Sequence, residues 1–241
     1  MLMSDKKSKS TLGFVLECCV VLLAIIVLTY LLFPPLVTPR VISQRMQCTS
    51  NVKQIGLGLH NYLDTNHKEL PPAYSVDENG KPLHSWRVLI LPYLEQEELY
   101  DQIRLDEPWD SEYNRQFHNK MPSIYLCPSA KPEAKEKGLT SYQRVVGPNT
   151  LSSGADSKTF RDVTAGMSNV IWLVEVIPTT CWMAPVDVQE SELSGDFKFS
   201  RESGVGSMHP SGINVGFLDG SVDYMSNDEA SQLQERVKIK R

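Results

Sequence analysis

The chain has no surplus of positive charge: 24 Lys+Arg stand against 29 Asp+Glu, a formal net charge of −5. Neutralising a phosphate backbone draws on such a surplus, so nucleic acid is excluded as an expected partner. The short signatures of catalysis are missing too, with no H-E-x-x-H, no G-x-S-x-G and no G-x-x-x-x-G-K-[ST] anywhere in the chain. Cysteine is sparse. Among the five there is no C-x-x-C and no Cys/His pair at zinc spacing, which removes the zinc-finger and thioredoxin-type readings. The one glycine-rich hexapeptide, GVGSMH at 204–209, sits in a polar stretch with no strand before it, so it does not read as a dinucleotide site. At 241 residues the chain has room for one ordinary domain or two small ones, and 22% charged with 8% aromatic residues is not the composition of a wholly disordered chain.

What is present is an uneven spread of apolar residues. Residues 18–33 (CCVVLLAIIVLTYLLF) carry no charge, and extending back to Leu12 adds only Glu17. As a helix, 12–33 would reach about 33 Å, enough for a hydrocarbon core of ~30 Å. A single-pass anchor is expected rather than a cleaved signal peptide, because the run exceeds the usual apolar stretch of a signal and no A-x-A site follows it. A lipoprotein anchor fails because Glu17 precedes Cys18 and Cys18 precedes Cys19, where processing needs a small side chain. The expected organisation is a cytoplasmic tail (1–11), a transmembrane helix (12–33), a proline-kinked amphipathic helix (34–66) and an extracytoplasmic domain (67–241). Lys6, Lys7 and Lys9 before the span are matched by Arg40, Arg45 and Lys53 after it, so the charge rule leaves orientation tied. Cys48, Cys127 and Cys181 lie beyond the span, and a disulfide between any two requires an oxidising compartment.

Pro34, Pro35 and Pro39 interrupt the first helix, since each ring removes a backbone donor. From about Val41 an apolar stripe resumes through Ile42, Met46, Val52, Ile55, Leu59 and Leu63, with Gly56 and Gly58 admitting a close backbone, and ends near Asn66. Asn79-Gly80 signals a hairpin; 85–91 and 95–103 read as short helical pieces divided by Pro92 and stopped by Pro108. Residues 141–146, 169–176, 214–218 and 221–225 read as strands, the last two joined through Asp219-Gly220. The polar, Gly/Ser-rich stretch 186–208 reads as a long surface loop. The fold class is α+β, a long N-terminal helix on an antiparallel sheet with a helical insertion over 84–120.

Candidate chemistry is thin. His209 is placed to act as a base beside Asp219 or Asp223, although a loop histidine bonded to backbone is the favoured reading. His84, Trp86, Trp182 and Pro185 read as local packing. Asp101, Asp106, Glu107 and Asp110 offer the carboxylate oxygens that calcium takes, but the spacing is not that of an EF-hand. A solvated acidic loop with Trp109 as its buried anchor is expected, and no metal or other cofactor.

Several segments taken in order carry a resemblance: GFVLE (13–17) opening the apolar helix, RMQCTSNVKQIGLGLHNY (45–62), PLHSWRVLILPYLEQEELYDQIRLDEPWDS (82–111), YLCPS (125–129), DVTAGMSNVIWLVE (162–175) and HPSGINVGFLDGSVDY (209–224). Together they resemble the planctomycete-type family of prepilin-like proteins of unknown function, related to the major pseudopilin of type II secretion. The C-terminal motif is His209 followed by Asp219-Gly220. The resemblance implies a type IV pilin-like architecture, an extracytoplasmic C-terminal domain on a single-pass cell-membrane anchor, and possible processing at Gly13/Phe14. In that family a glutamate near the mature N-terminus, here Glu17, is implied to pair with a neighbour's free N-terminus, since an unpaired carboxylate in hydrocarbon costs ~2.5 kcal/mol or more. Leu12 rather than a basic residue precedes Gly13, and Glu17 is fourth rather than fifth after a cut before Phe14. The expected function is a non-catalytic pseudopilin-like structural or assembly subunit, with the bilayer, like subunits or secretion components as partners. The alternative is an anchored ligand-binding or enzymatic domain using His209 and Asp219. The resemblance also carries over the cysteines of RMQC and YLCPS, and with them an expected Cys48–Cys127 disulfide. Closing a loop of that length stabilises by about 4 kcal/mol in the chain-entropy account.

Overall fold

A computed structural model describes residues 4–32, 37–156, 158–193, 199–202, 204–209 and 211–240, with side chains described for all of these except 4–13, 15, 30–32 and 37–41. The chain divides into two units, residues 1–43 and 44–241.

In the first unit the apolar run forms helix α1 (Ser4–Leu32). Its described large apolar side chains, from Phe14 and Leu16 through Val20 to Leu28, are all exposed. Among the described residues no helix is long and apolar enough to cross a membrane. The expected span, 12–33, runs past the described side chains at both ends. Pro34 and Pro35 lie outside the described residues. Pro39 falls in the first turn of helix α2 (Val37–Thr65), where a missing N–H breaks no intrahelical bond.

In the second unit α2 buries Cys48, Val52, Ile55, Leu59 and Leu63, while Met46 stays 67% exposed. The stripe expected to run back through Ile42 and Met46 is therefore corrected. At about 100° per residue, Met46 lies some 240° around the helix from Val52, whereas Cys48 lies about 40° from it.

After α2 come a two-stranded antiparallel pair, β1 (Tyr74–Val76) and β2 (Pro82–Ser85), folded about the Asn79-Gly80 turn. Gly80 holds φ +79°, a conformation that glycine takes without a Cβ clash. The insertion is made of short pieces: α3 (Trp86–Leu89), α4 (Glu97–Gln102), several 3-10 turns, and α5 (Pro132–Glu136). Ser85 caps α3 by accepting from the Arg87 amide. The main sheet holds β3 (Tyr142–Val146), β4 (Ile171–Glu175), β5 (Val188–Gln189), β6 (Gly212–Phe217) and β7 (Val222–Ser226) in the order β5-β3-β4-β6-β7. All neighbours are antiparallel except β3 and β5, which are parallel. That short edge pair is the one departure from the expected antiparallel sheet among the described strands. It arises because part of the stretch read as a surface loop returns to the sheet edge and buries Asp187 and Glu190.

Both faces of the sheet are covered. One core joins α2 to Trp86, Trp172, Tyr125 and Trp182, and the other gathers Ile171, Val174, Ile213, Val215 and Phe217 against Leu233 and Val237 of the C-terminal segment, which includes α6 (Leu233–Arg236). On β6 the apolar residues alternate with Asn214 and Gly216, which face α2: Thr49 Oγ1 donates to Asn214 Oδ1 at 2.9 Å, and a Cβ on Gly216 would stand 3.0 Å from Val52 Cγ1. Helix and strand run side by side, and the small residue sets how closely they approach. Gly56 serves the same end, with 3.8 Å between its absent Cβ and Gly220 Cα.

Candidate functional site

Between the Cys48 turn of α2 and the sheet, four side chains distant in sequence converge: Cys48, Cys127, Glu175 and His209, all buried, with one candidate ligand atom from each lying within 4.8 Å of the others. Each arrives by a different route. Cys48 is on the buried face of α2; Cys127 follows a 3-10 turn and precedes Pro128, its amide donating to Ser141 Oγ at 2.9 Å. Glu175 ends β4, and His209 lies three residues before β6, its amide bonded to Ser207 Oγ at 3.0 Å.

The Cys48 thiol donates to Cys127 Sγ at 2.8 Å, and His209 Nε2 stands 3.2 Å from Cys48 Sγ and 3.3 Å from Cys127 Sγ. Both cysteines are free. The expected bridge would join these same two sulfurs. Glu175 Oε2 accepts from the Asn214 amide and from Asn214 Nδ2, each at 3.0 Å. Among the described residues its Oε1 has no hydrogen-bond partner, and it lies 3.9 Å from His209 Nε2. Thr49, next to Cys48, holds the other end of Asn214, so the carboxylate is aimed by a chain reaching back to the same helix.

The electrostatics follow from this crowding. The hydrogen bond from Cys48 draws the Cys127 thiol down to about 5 against the opposing effect of burial, with His209 adding to the pull. Cys48, holding the shared proton, is pushed up by that bond and by burial. Burial, then the negative charge at Cys127, raises Glu175 to about 7. Burial alone would lower His209, but its bond to the Cys127 thiolate lifts it above the usual value.

The other residues singled out in the sequence lie elsewhere. Asp219 sits in the β6–β7 turn, accepting from the Ser221 amide at 2.9 Å and from its hydroxyl at 2.6 Å, with Gly220 at φ +85°. The whole of β6 lies between it and His209, about 20 Å of strand, so the pair does not share a site. Instead His60 of α2 meets that turn, its Nε2 2.9 Å from Leu218 O. Among the described residues the acidic loop forms no metal-binding group. Glu107 turns to Arg104 at 2.8 Å, and Trp109 is half-buried, stacked on His118 at 5.2 Å rather than enclosed. Phe14 and Glu17 are exposed on α1, whereas the side-chain positions of 4–13 lie outside the description. Cys181 is half-buried and apart from the cluster. Glu175 is the residue that sequence reasoning missed. Its one visible signal is a lone charge closing an otherwise apolar strand, IWLVE.

A sequence model of the family described as "Protein of unknown function (DUF1559)" matches residues 40–169. No curated protein and no solved structure matches the chain.

Proposed function

The chain belongs to the DUF1559 family, whose function is unknown, and from that premise we propose that it is a non-catalytic, membrane-anchored subunit of a pilin-like assembly with its larger unit outside the cytoplasm. The observation that carries this reading is the contrast between the two long helices. α2 buries its apolar stripe in the second unit, while α1 leaves Leu16, Val20 to Leu23 and Ile25 to Leu28 exposed. A contiguous apolar surface of that kind is stable only against lipid or against other apolar helices. The same contrast fits a pilin-like subunit, whose first helix half is shared between bilayer and neighbouring copies. The burial of the cluster supports the absence of catalysis, with Cys127 and His209 each 2% exposed. The alternative enzymatic reading paired His209 with Asp219, and those two lie at opposite ends of β6.

The test is a carbonate wash of membranes followed by short-range crosslinking of the full chain. Retention in the pellet with like-subunit crosslinks through residues 1–43 is expected. Release into the supernatant would end the anchor, and a retained protein that crosslinks to nothing would end the assembly.

A further inference from the structure

We propose that Cys48, Cys127, Glu175 and His209 form a closed four-ligand zinc site that fastens α2 to the sheet. The ligand chemistry is two sulfurs, one imidazole nitrogen and one carboxylate oxygen, a set suited to a borderline-soft divalent ion and unsuited to calcium or magnesium. Four ligands supplied by the chain, all buried, leave no open position, which is the pattern of a structural site. A zinc tetrahedron has edges of roughly 3.3–3.8 Å. The sulfurs at 2.8 Å would part by about 1 Å, and the carboxylate and imidazole at 3.9 Å would close by about half an ångström. On binding, the protons carried by the two sulfurs, by His209 Nε2 and by the Glu175 carboxyl leave to solvent and the ion takes their place.

Two observations favour an ion over a simple thiol pair or a disulfide. Glu175 Oε1 is buried without a hydrogen-bond partner among the described residues and lies 3.9 Å from His209 Nε2, while its other oxygen is held by Asn214. Leaving a carboxylate oxygen so is costly, and an outer residue orienting a ligand is the usual support of a metal site. A disulfide would consume both sulfurs, yet leave that oxygen unpaired and His209 Nε2 facing two atoms with neither proton nor charge. A cavity of about 280 Å³, lined by Gln47, Asn51, Ser123, Leu126, Lys135 and Cys127 itself, opens beside the cluster.

The experiment uses the full chain, purified in detergent with a mild reductant, its thiols counted before zinc is added. One zinc per chain is expected, with Cys48 and Cys127 protected from alkylation by zinc and Cys181 unprotected, read by peptide mass spectrometry. Cobalt in place of zinc should give the thiolate charge-transfer and intense visible bands of a tetrahedral centre. Glu175→Gln, which keeps the shape and the Asn214 bond, should weaken zinc binding by about tenfold or more. Protection in the unaltered chain needs no variant, so a misfolded Cys48→Ser would not blunt the test. Reduced full chain that takes up no zinc, equal alkylation of all three cysteines with and without it, or zinc affinity unchanged in Glu175→Gln would each overturn the site. So would a Cys48–Cys127 disulfide in chain isolated without reductant from its native membrane.

Discussion

Replacing Asp187 by Asn should destabilise the protein severely, and adding Arg87→Met to the same chain should restore part of the loss. Asp187 Oδ1 accepts from Arg87 Nη2 at 2.6 Å, from Trp86 Nε1 at 3.3 Å and from the Arg144 amide at 3.1 Å. The ion pair is buried, with side-chain exposures of 0% and 2%, and it pins the helical insertion to the sheet edge. Despite the guanidinium against it, burial pushes the Asp187 carboxyl above its ordinary 3.8. The sign is informative. A carboxyl raised in the folded state contributes stability that is complete below the unfolded value and is lost as pH rises through the folded one, so at neutral pH desolvation outweighs pairing. The side-chain oxygen of the Asp187→Asn variant would still accept from Trp86 and from the Arg144 amide, but the buried Arg87 guanidinium would lose its ion-pair partner and the buried Arg144 guanidinium a countercharge, a loss of about 3–5 kcal/mol. At 2–4 °C per kcal/mol for a unit of this size, the melting temperature should fall by roughly 6–20 °C. Methionine in place of Arg87 then removes the charge that faced Asp187 directly, while the Arg144 guanidinium, whose Nη1 donates to Pro71 O at 2.8 Å, stays. The acceptors that Arg87 abandons keep other donors, since Ser85 Oγ still accepts from the backbone amide at that position and Tyr142 O from Thr140 Oγ1. Thermal and urea unfolding of the full chain, wild type, single and double, measures the cycle. A single variant that loses less than about 1 kcal/mol, or a double as unstable as the single, would refute the reasoning.

Gly216→Ala should cost about 1–3 kcal/mol through the clash with Val52 and Leu173, whose Cβ would lie 3.3 Å away, and Val52→Ala in the same chain should relieve it; additive losses in urea titration would show that α2 is not seated there. Leu59→Ala should cost about 2–5 kcal/mol and Met46→Gln less than about 0.5, as the buried and exposed faces of α2 require; similar losses for both would undo that face assignment. The hydrogen bond from the Ser221 hydroxyl holds Asp219 below its ordinary 3.8, so what the turn gains is present above the unfolded value and lost as pH falls through the folded one. Ser221→Ala should move the Asp219 midpoint upward in an NMR carboxyl titration, and an unchanged midpoint would contradict this.

The elements of this protein were legible in the sequence wherever the signal is local. Asn-Gly and Asp-Gly turns demand positive φ, and alternating apolar residues mark half-buried strands, so both hairpins and four of the strands stand where they were read. The stripe of α2 from Val52 to Leu63 was legible for the same reason, a period of 3.6. Its start was misread because Met46 and Ile42 are apolar but on the wrong arc, while Cys48, on the right one, does not announce itself as core. The parallel return of β5 was hidden as well, since two residues inside a polar stretch carry no periodicity.

Composition and patterning alone determined the α+β class, the uncharged run ahead of the folded unit, and the absence of any phosphate-binding or metalloprotease signature. Tertiary structure decided the site. Cys48, Cys127, Glu175 and His209 span 161 residues between the first and last, and no spacing rule reaches across a sheet. They meet because α2 lies along β6, because β4 delivers its terminal charge beside that seam, and because Asn214 and Gly216 leave the helix face of β6 open enough to admit them. Asp219, which the sequence placed with His209 by motif, was carried to the far end of the same strand by the extended rise of its backbone.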